Sequence, residues 1–346
     1  MGTSGLKRQS NFELYRIICI CLIVLMHSFG TGTGTFNTHV GILVNVLGNI
    51  GVTGFILLSG YFGINLNFKK LVKIDIMMIV WSLCQLVVTG FVSFLSMPQR
   101  AVTIKELVMC FIPFASHAYW FIAAYFALCI LCPFINDYLN KTDKKTHKKL
   151  IIYAGFIYLL MPTVFFFDQT GDGGKGIVNM ILAYIIGRYI GMYHKDEKIS
   201  LSRLWALFAS VVAVNYTLNF IVYHATDSTA YYYARDNSVF TVAQAVILLL
   251  IFMQFKMSSK FINMLSANII AVYVLEDGIK WILNGVFPFV TEFADVPYRI
   301  LIMLAVTVAT FAAASILEAL RKLIFGRAED VIIDWIGNRI LSWKKQ

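Results

Sequence analysis

Ten apolar segments, each long enough to cross a lipid bilayer as a helix, constrain this sequence more than any other feature. A hydrocarbon core about 30 Å thick needs about 20 apolar residues per helical crossing. Only 14% of the 346 residues are charged, whereas soluble domains carry about 25%. No segment shows the period-two alternation of a barrel strand. The sequence therefore predicts an all-α polytopic membrane protein, a bundle of about ten transmembrane helices. The segments are approximately 12–30, 40–63, 74–97, 117–139, 150–167, 177–193, 204–223, 238–256, 264–286 and 299–320.

The distribution of basic residues orients the predicted helices. With the amino terminus in the cytoplasm, the inner loops hold twenty-one lysines and arginines, and the outer loops hold five. Because positive charge is enriched in cytoplasmic loops, this bias and the even number of crossings place both termini in the cytoplasm. The same loops account for the formal net charge of +10, so the sequence predicts no nucleic-acid partner. We expect a multi-pass protein of the plasma (cytoplasmic) membrane, surrounded by membrane lipid.

A single transmembrane domain, residues 1–328, is predicted, because no polar linker or soluble insertion interrupts the apolar array. The pattern changes after this domain. Apolar residues such as Ile332 and Ile336 recur there at helical spacing, and Asp334 lies on the opposite face. Residues 329–346 are therefore predicted to form a C-terminal amphipathic helix on the inner membrane surface.

Arg16 and His27, both in the first apolar segment, lie on one predicted helical face. Eleven residues at 100° each make three turns plus 20°, so the two side chains are about 16 Å apart along the axis. A charged side chain at the centre of a span costs roughly 2.5–3.5 kcal/mol, and such residues usually face a protein interior or an aqueous cavity. Two interpretations remain for each residue. Arg16 either extends to the interface, paired with Glu13, or serves a site. His27 is either structural or a catalytic base or nucleophile.

Charged residues elsewhere also leave two interpretations open. Glu276 and Lys280, in the ninth segment, are four positions apart and can form an ion pair on one helical face. Such a pair either holds the bundle together or belongs to a site. Lys70 and Lys73 follow the second segment on the predicted cytoplasmic side. They either bind anionic lipid head groups or bind the phosphates of a cytosolic donor.

Glu13, Arg16 and His27 form a motif in which an acidic residue is followed three positions later by an arginine, and then by a histidine after ten more residues. This motif resembles the opening signature of integral-membrane acyltransferase family 3. Residues 51–61, which contain Ser59 followed by a glycine and a tyrosine, resemble the family's second-span pattern. The two motifs together make the resemblance more specific than the spacing alone.

Further positions extend the resemblance over the first 140 residues. Lys70 and Lys73 lie where the family has a basic pair, and Trp120 with Phe121 resembles a later Trp-Phe position. One departure concerns the ninth segment, where the family often has a histidine shortly after a tyrosine and this chain has Glu276. If that histidine contributes to catalysis or binding in the family, its role is changed or lost here.

The resemblance implies a membrane O-acyltransferase that moves an acyl group, typically acetyl, from cytosolic acetyl-CoA to a hydroxyl of a cell-surface glycan. The acceptor would be a surface polysaccharide or a lipid-linked glycan, and no metal is implied. His27 would act as general base or transient acyl carrier, with Ser59 as its hydrogen-bonding partner. The implied catalytic set is His27, Arg16 and Glu13, and the implied donor- or substrate-binding set is Ser59, Lys70, Lys73, Trp120 and Glu276.

A transporter of a lipid-linked glycan or a small solute is the competing interpretation. The polar residues in the spans would then line a transport pathway. Ten crossings suit a carrier. The sequence nevertheless shows no inverted repeat and no matched pair of segments broken by glycine or proline, which many carriers have.

Overall fold

Helices form the regular structure of this chain. The computed structural model describes residues 9–30, 39–96, 103–113, 119–226, 232–286 and 298–343, and these contain no strand. A π-helical stretch spans Phe156–Leu160, and a 3₁₀ turn spans Tyr232–Ala234. The helices are α1 (Ser10–Gly30), α2 (His39–Gly48), α3 (Ile50–Phe62), α4 (Phe68–Ser96), α5 (Ile104–Phe111), α6 (Trp120–Asn140), α7 (Lys144–Gly155), α8 (Met161–Val164), α9 (Ile177–Tyr193), α10 (Leu201–Thr226), α11 (Val239–Met253), α12 (Lys260–Ser266), α13 (Ile269–Val286) and α14 (Arg299–Trp343).

The described residues include seven helical stretches that are long and apolar enough to cross a membrane. The pair α12 and α13, bent by 57°, makes an eighth if it counts as one span. Each of the ten predicted segments is largely helical, but α9 has only 17 residues, and the stretch from α7 to α8 is not among the candidates. The all-helical membrane fold is thus confirmed, with about seven candidate crossings among the described residues. The count of ten and the orientation of the termini stay predictions.

The central helix α3 packs most extensively against α9 and also contacts α1 and α11. Glycines permit this close approach. A Cβ atom at Gly60 would overlap the backbone of Tyr184 in α9, and one at Gly187 would overlap the backbone of Leu57 in α3. Because lipid tails are as apolar as the side chains, helices in a bilayer associate largely through such close packing of small residues. The pair α3 and α9 therefore forms a fixed frame for the neighbouring helices.

Hydrogen bonds to α11 fix the rotation of α1. The Tyr15 hydroxyl donates to the Ala245 carbonyl at 3.3 Å, and the Asn11 amide donates to the Phe252 carbonyl at 2.8 Å. Tyr15 and Asn11 are buried, so these bonds form away from solvent. The opposite face of α1 is thereby turned toward α12 and α13. We call the end of the bundle where α1 begins the Arg16 side, and the end where α1 finishes the His27 side.

The helix α14 runs for 45 residues without a break, through residue 328. The predicted amphipathic tail is therefore the end of a longer helix, and its last residues, 344–346, lie outside the described part of the chain. A buried network holds this end to the bundle. Arg321 donates to Glu318 at 2.8 Å and also to Glu329, and the Trp81 indole of α4 donates to Glu318 at 3.1 Å. The domain boundary at residue 328 stays a prediction.

Candidate active site

His27, near the end of α1, and Glu276, in α13, form a hydrogen-bonded pair. His27 Nδ1 and Glu276 Oε1 are 2.8 Å apart. The glutamate side chain is 2% exposed, whereas 40% of the histidine side chain is exposed. A carboxylate at Nδ1 favours the tautomer that carries its proton on this nitrogen, which makes Nε2 the basic ring nitrogen. The arrangement is that of a histidine oriented for acid–base or nucleophilic chemistry.

Lys280 completes this pair from one turn farther along α13. Its ammonium lies 3.4 Å from Glu276 Oε2 and 3.1 Å from Asp277 Oδ1, and its side chain is 3% exposed. The ion pair predicted between Glu276 and Lys280 is thus confirmed. Because an isolated charge is costly to bury, the ammonium makes it feasible to hold a carboxylate against His27 inside the bundle.

The ligand atoms of His27, Glu276 and Asp277 all lie within 4.8 Å of one another, which raises the question of a metal ion. Lys280, however, contacts both carboxylates. Its ammonium already pairs with both carboxylates and supplies the compensating positive charge itself. These residues fit an acid–base site better than a metal centre.

A cavity of about 310 Å³ extends along the face of α1 that carries Arg16 and His27. Arg16 and Ile23 line it, and His27 follows Ile23 by one helical turn on the same face. On the facing wall, Tyr273 of α13 lines the cavity one turn before Glu276. The cavity therefore leads from Arg16 to within one helical turn of the histidine–glutamate pair.

Aromatic rings form much of the cavity wall. The ring of Phe121 lies 6.2 Å from that of Phe55, 6.2 Å from that of Tyr125 and 5.6 Å from that of Tyr273, measured between centroids. Trp120, the residue predicted to bind substrate, packs edge-on against Phe121 and does not line the cavity. Its neighbour Phe121 does. The sequence could have pointed to Phe121 through the Trp-Phe pair, but not to the rings of other helices.

A second cavity, of about 270 Å³, opens on the Arg16 side and adjoins the first. Arg16, Ser59 and Tyr125 line both cavities, and Lys70 lines only the second. The loop that joins α3 to α4, residues 63–67, supplies polar groups to its wall. Together the two cavities form a path with a polar, basic mouth and an apolar, aromatic interior.

Glu13 holds Arg16 at the junction of the two cavities. Arg16 Nη1 lies 3.4 Å and 3.3 Å from the carboxylate oxygens of Glu13, which also accepts a hydrogen bond from Ser266 Oγ at 2.6 Å. Glu13 and His27 are fourteen residues apart on α1, or about 21 Å along the helix. The structure thus places Glu13 beside Arg16 and away from His27, and its place in the catalytic set stays a prediction.

Ser59 does not contact His27, so the predicted hydrogen bond between them is absent from the structure. Its hydroxyl donates to the backbone carbonyl of Phe55 at 2.9 Å. Because α3 runs antiparallel to α1, Ser59 near the end of α3 lies level with Arg16 near the start of α1. It remains a wall residue of both cavities.

The predicted basic pair is divided between two faces of α4. Lys70 lines the second cavity. Lys73 instead lies 3.9 Å from Asp330 of α14, and Lys69 donates to Asp334 of the same helix at 2.8 Å. Residues 69 and 73 share one helical face because they are four positions apart. Only Lys70 is thus placed to meet a ligand in the cavity.

Comparison with known proteins gives one result. The model of a family described as an acyltransferase domain matches residues 9–319, which include every residue of the site from α1 to α13. Among curated proteins and among solved structures, none matches this chain.

Proposed function

We propose that this chain, which belongs to the acyltransferase 3 family of membrane proteins, transfers an acetyl group from cytosolic acetyl-CoA to a hydroxyl group of a cell-surface glycan. Family membership supports a membrane acyltransferase. The acetyl donor, the glycan acceptor and the location in the plasma membrane are the proposed parts. The observation that carries the proposal is the oriented His27–Glu276 pair at the end of a path from the Arg16 side.

The donor is proposed to enter from the Arg16 side, which the loop charges predict to be cytoplasmic. Arg16 and Lys70 at the polar mouth suit the phosphates of coenzyme A, since guanidinium and ammonium groups make strong charge-assisted hydrogen bonds to phosphate. The long, thin arm of the coenzyme would then follow the aromatic wall past Tyr125 and Phe121. Its thioester would come to the end of the cavity, near His27.

In this mechanism, His27 Nε2 removes the proton from the acceptor hydroxyl as the hydroxyl oxygen attacks the thioester carbonyl carbon. The carbon–sulfur bond breaks, and the leaving thiolate takes the proton back from the imidazolium. Glu276 accepts the Nδ1 hydrogen bond throughout and stabilises the imidazolium. If His27 serves instead as an acyl carrier, Nε2 attacks the thioester carbonyl carbon first, and the carbon–sulfur bond breaks to release the coenzyme thiolate. The acceptor hydroxyl oxygen then attacks the acyl carbon, the bond from that carbon to Nε2 breaks, and the hydroxyl proton passes to the thiolate.

One feature favours the alternative, a transporter of a lipid-linked glycan or a small solute. The helices α12 and α13 are bent by 57° beside the cavity, and discontinuous helices at a central site are common in carriers. A carrier does not, however, need a histidine whose tautomer is fixed by a carboxylate. The oriented pair favours chemistry at His27.

Purified full-length protein in lipid nanodiscs, incubated with labelled acetyl-CoA, tests the proposal. We expect release of labelled acetate, and transfer of label when a glycan acceptor is added. The same protein in vesicles is assayed for uptake of a solute, which a carrier would show. If acetyl-CoA is not consumed and the vesicles accumulate a solute, the chain is a carrier and the enzymatic proposal is wrong.

A further inference from the structure

A polar groove of about 450 Å³ opens on the His27 side, apart from the two cavities described above. Asn45 and Asn49 contribute amides, Asp236 contributes a carboxylate, and Lys175 and Arg235 contribute positive charges. Its volume is within the range of about 300–1,000 Å³ that is usual for small-molecule sites. None of these residues belongs to the donor path, so the groove needs an explanation of its own.

Asp236 is the most informative residue of the groove. It lines the groove, it is 3% exposed, and its Oδ1 accepts no hydrogen bond from the described residues. The side-chain oxygens of Asn237 and Asn179, both buried, likewise accept none from that part of the chain. Asn179 lies beside Asp236, because its amide donates to the Asp236 carbonyl at 3.1 Å. Buried acceptors are nearly always paired, so Asp236, which lines the groove, is placed to accept hydrogen bonds from a ligand rich in hydroxyl donors.

The other two carboxylates of the groove are occupied within their own loop. Asp168 Oδ2 accepts from the Gly173 amide at 2.9 Å, and Asp172 Oδ1 accepts from the Gly174 amide at 2.8 Å. Burial acts to raise the pKa of Asp168, but hydrogen bonds from Gly173 and Thr170 outweigh it and hold this pKa below its usual value. Asp168 and Asp172 therefore shape the loop, whereas Asp236 Oδ1 has no such donor among the described residues.

The loop is fixed directly onto the turn before α11. Gly174 has a φ of +87°, and a Cβ atom there would overlap the backbone of Asn237. Only glycine allows both this conformation and this approach. The wall of the groove is consequently set by backbone contact, as in a preformed binding site.

The groove lies next to His27. At the corner between α2 and α3, a Cβ atom at Gly48 would overlap the side chain of Met26, the residue before His27, and Asn49 follows directly. An acceptor held in the groove would therefore lie beside the catalytic histidine, on the side opposite to the donor path.

The cationic rim of the groove is partly fixed by aromatic contacts. The Arg235 guanidinium lies 4.3 Å from the centroid of the Tyr232 ring, which packs against Phe166 at 5.2 Å. Cation–π contact of this kind restrains the guanidinium. Lys175 is exposed at the rim. The groove also holds three aspartates, so the two cations favour a negative group on a ligand only at the rim.

We propose that this groove binds the saccharide unit of the acceptor, with sugar hydroxyls donating to Asp236 and with Lys175 and Arg235 preferring a sugar that bears a carboxylate. The inference rests on the proposed acyl transfer and names the substrate class at the acceptor side. It gives residues outside the sequence motifs a direct part in substrate binding.

Two measurements on the full-length protein in nanodiscs test this assignment. They are the binding of saccharides and the division of transferred acetyl between a sugar and water. The probes are methyl glucoside and methyl glucuronide, and their binding is measured by ligand-observed NMR. The second measurement is the fraction of labelled acetyl from acetyl-CoA that is transferred to the sugar, compared with the fraction hydrolysed to acetate. We expect Asp236→Asn to weaken binding of both sugars at least tenfold and to shift label toward water. Lys175→Gln should weaken the glucuronide severalfold more than the glucoside. Asp137→Asn, an exposed carboxylate paired with Lys141, is the matched control.

Each outcome bears on the groove separately from the proposed function. If the wild-type protein consumes no acetyl-CoA, the acyltransferase proposal fails, and the groove is judged by sugar binding alone. Wild-type protein that binds neither sugar, or an Asp236→Asn variant that binds both as well as wild type, overturns the groove assignment. If Asp236→Asn does not fold, the Lys175→Gln variant tests the groove assignment. An equal loss of affinity for both sugars, or no loss of affinity, overturns the assignment.

Discussion

The hydrogen bond between His27 Nδ1 and Glu276 sets the chemical character of the histidine. A buried carboxylate at 2.8 Å orients the ring and stabilises the positive charge that develops when Nε2 accepts a proton. The carboxylate is in turn balanced by Lys280, itself almost fully buried. The three residues therefore act as one charged unit, and the effect of changing one is expected to appear in the others.

Replacing Glu276 with glutamine should lower kcat by about 100-fold or more, because a neutral amide cannot stabilise the imidazolium and also permits the wrong tautomer. The donor KM should change little, since Glu276 does not line the donor path. His194 and Glu197 provide a matched control. They form a similar histidine–glutamate pair outside the site, with His194 Nδ1 and Glu197 Oε1 2.7 Å apart. Steady-state kinetics of both variants are the measurement. A Glu276→Gln enzyme as fast as Glu197→Gln would contradict the assigned role.

Lys70 and Lys73 offer a second matched comparison. Lys70→Gln should raise the KM for acetyl-CoA about tenfold, because a charge-assisted hydrogen bond contributes roughly 1.5–3 kcal/mol. Lys73→Gln should change it less than about twofold, since Lys73 faces Asp330. Initial rates at varied donor concentration distinguish the two. Equal effects would show that the second cavity is not the donor entrance.

At the residue scale, sequence reasoning succeeded where a relationship was local. The shared face of Arg16 and His27 and the pair Glu276–Lys280 both follow from helical periodicity. The contact between His27 and Glu276 joins positions 249 residues apart. Predicting it would require knowing which face of α13 meets α1, and no periodicity within either helix contains that information. The same limit explains why the sequence predicted Glu276 in an ion pair with Lys280 and in the substrate-binding set, but not beside His27.

At the element scale, hydropathy located the helices but not their interruptions. The break between α12 and α13 falls in one continuous apolar segment, at residues 267–268, and Ala267 lines the donor cavity there. An apolar run carries no signal for such a bend unless glycine or proline marks it. The unbroken course of α14 through residue 328 was equally invisible, because a change of pattern does not require a change of helix.

Two glycines should respond oppositely to substitution by alanine. Gly187→Ala should destabilise the protein by about 1–3 kcal/mol, because the added Cβ meets the backbone of Leu57, which cannot move aside locally. Gly326→Ala should stabilise α14 by up to about 1 kcal/mol, since, apart from its chain neighbours and the adjacent helix backbone, no described atom lies within 4 Å of its Cβ position. Thermal unfolding in detergent gives both values. An unchanged midpoint for Gly187→Ala would contradict the proposed packing of α3 on α9.

At the scale of the whole molecule, the site joins two openings. The donor path begins at Lys70 on the Arg16 side, and the polar groove around Asp236 opens on the His27 side. His27 lies between them on α1. This arrangement suits transfer of a group across the membrane, from a donor on one side to an acceptor on the other. The topology that the loop charges predict gives that transfer its direction.

Single cysteines test this direction in a variant whose six native cysteines have been replaced. Lys175→Cys, at the rim of the groove, should react with a membrane-impermeant maleimide in intact cells. Lys145→Cys, at the start of α7, should react only after the membrane is permeabilised. The opposite labelling pattern would reverse the assignment of donor and acceptor sides.

The most direct test of the central claim is the rate of acetyl transfer by a His27→Ala variant, measured in nanodiscs with labelled acetyl-CoA and compared with wild type and with His194→Ala. General acid–base catalysis typically contributes about 10²–10⁴-fold, so the rate of His27→Ala should fall by at least about 100-fold. The folded protein should keep its affinity for the donor, and His194→Ala should match wild type. A His27→Ala protein that transfers acetyl at the wild-type rate would contradict the account.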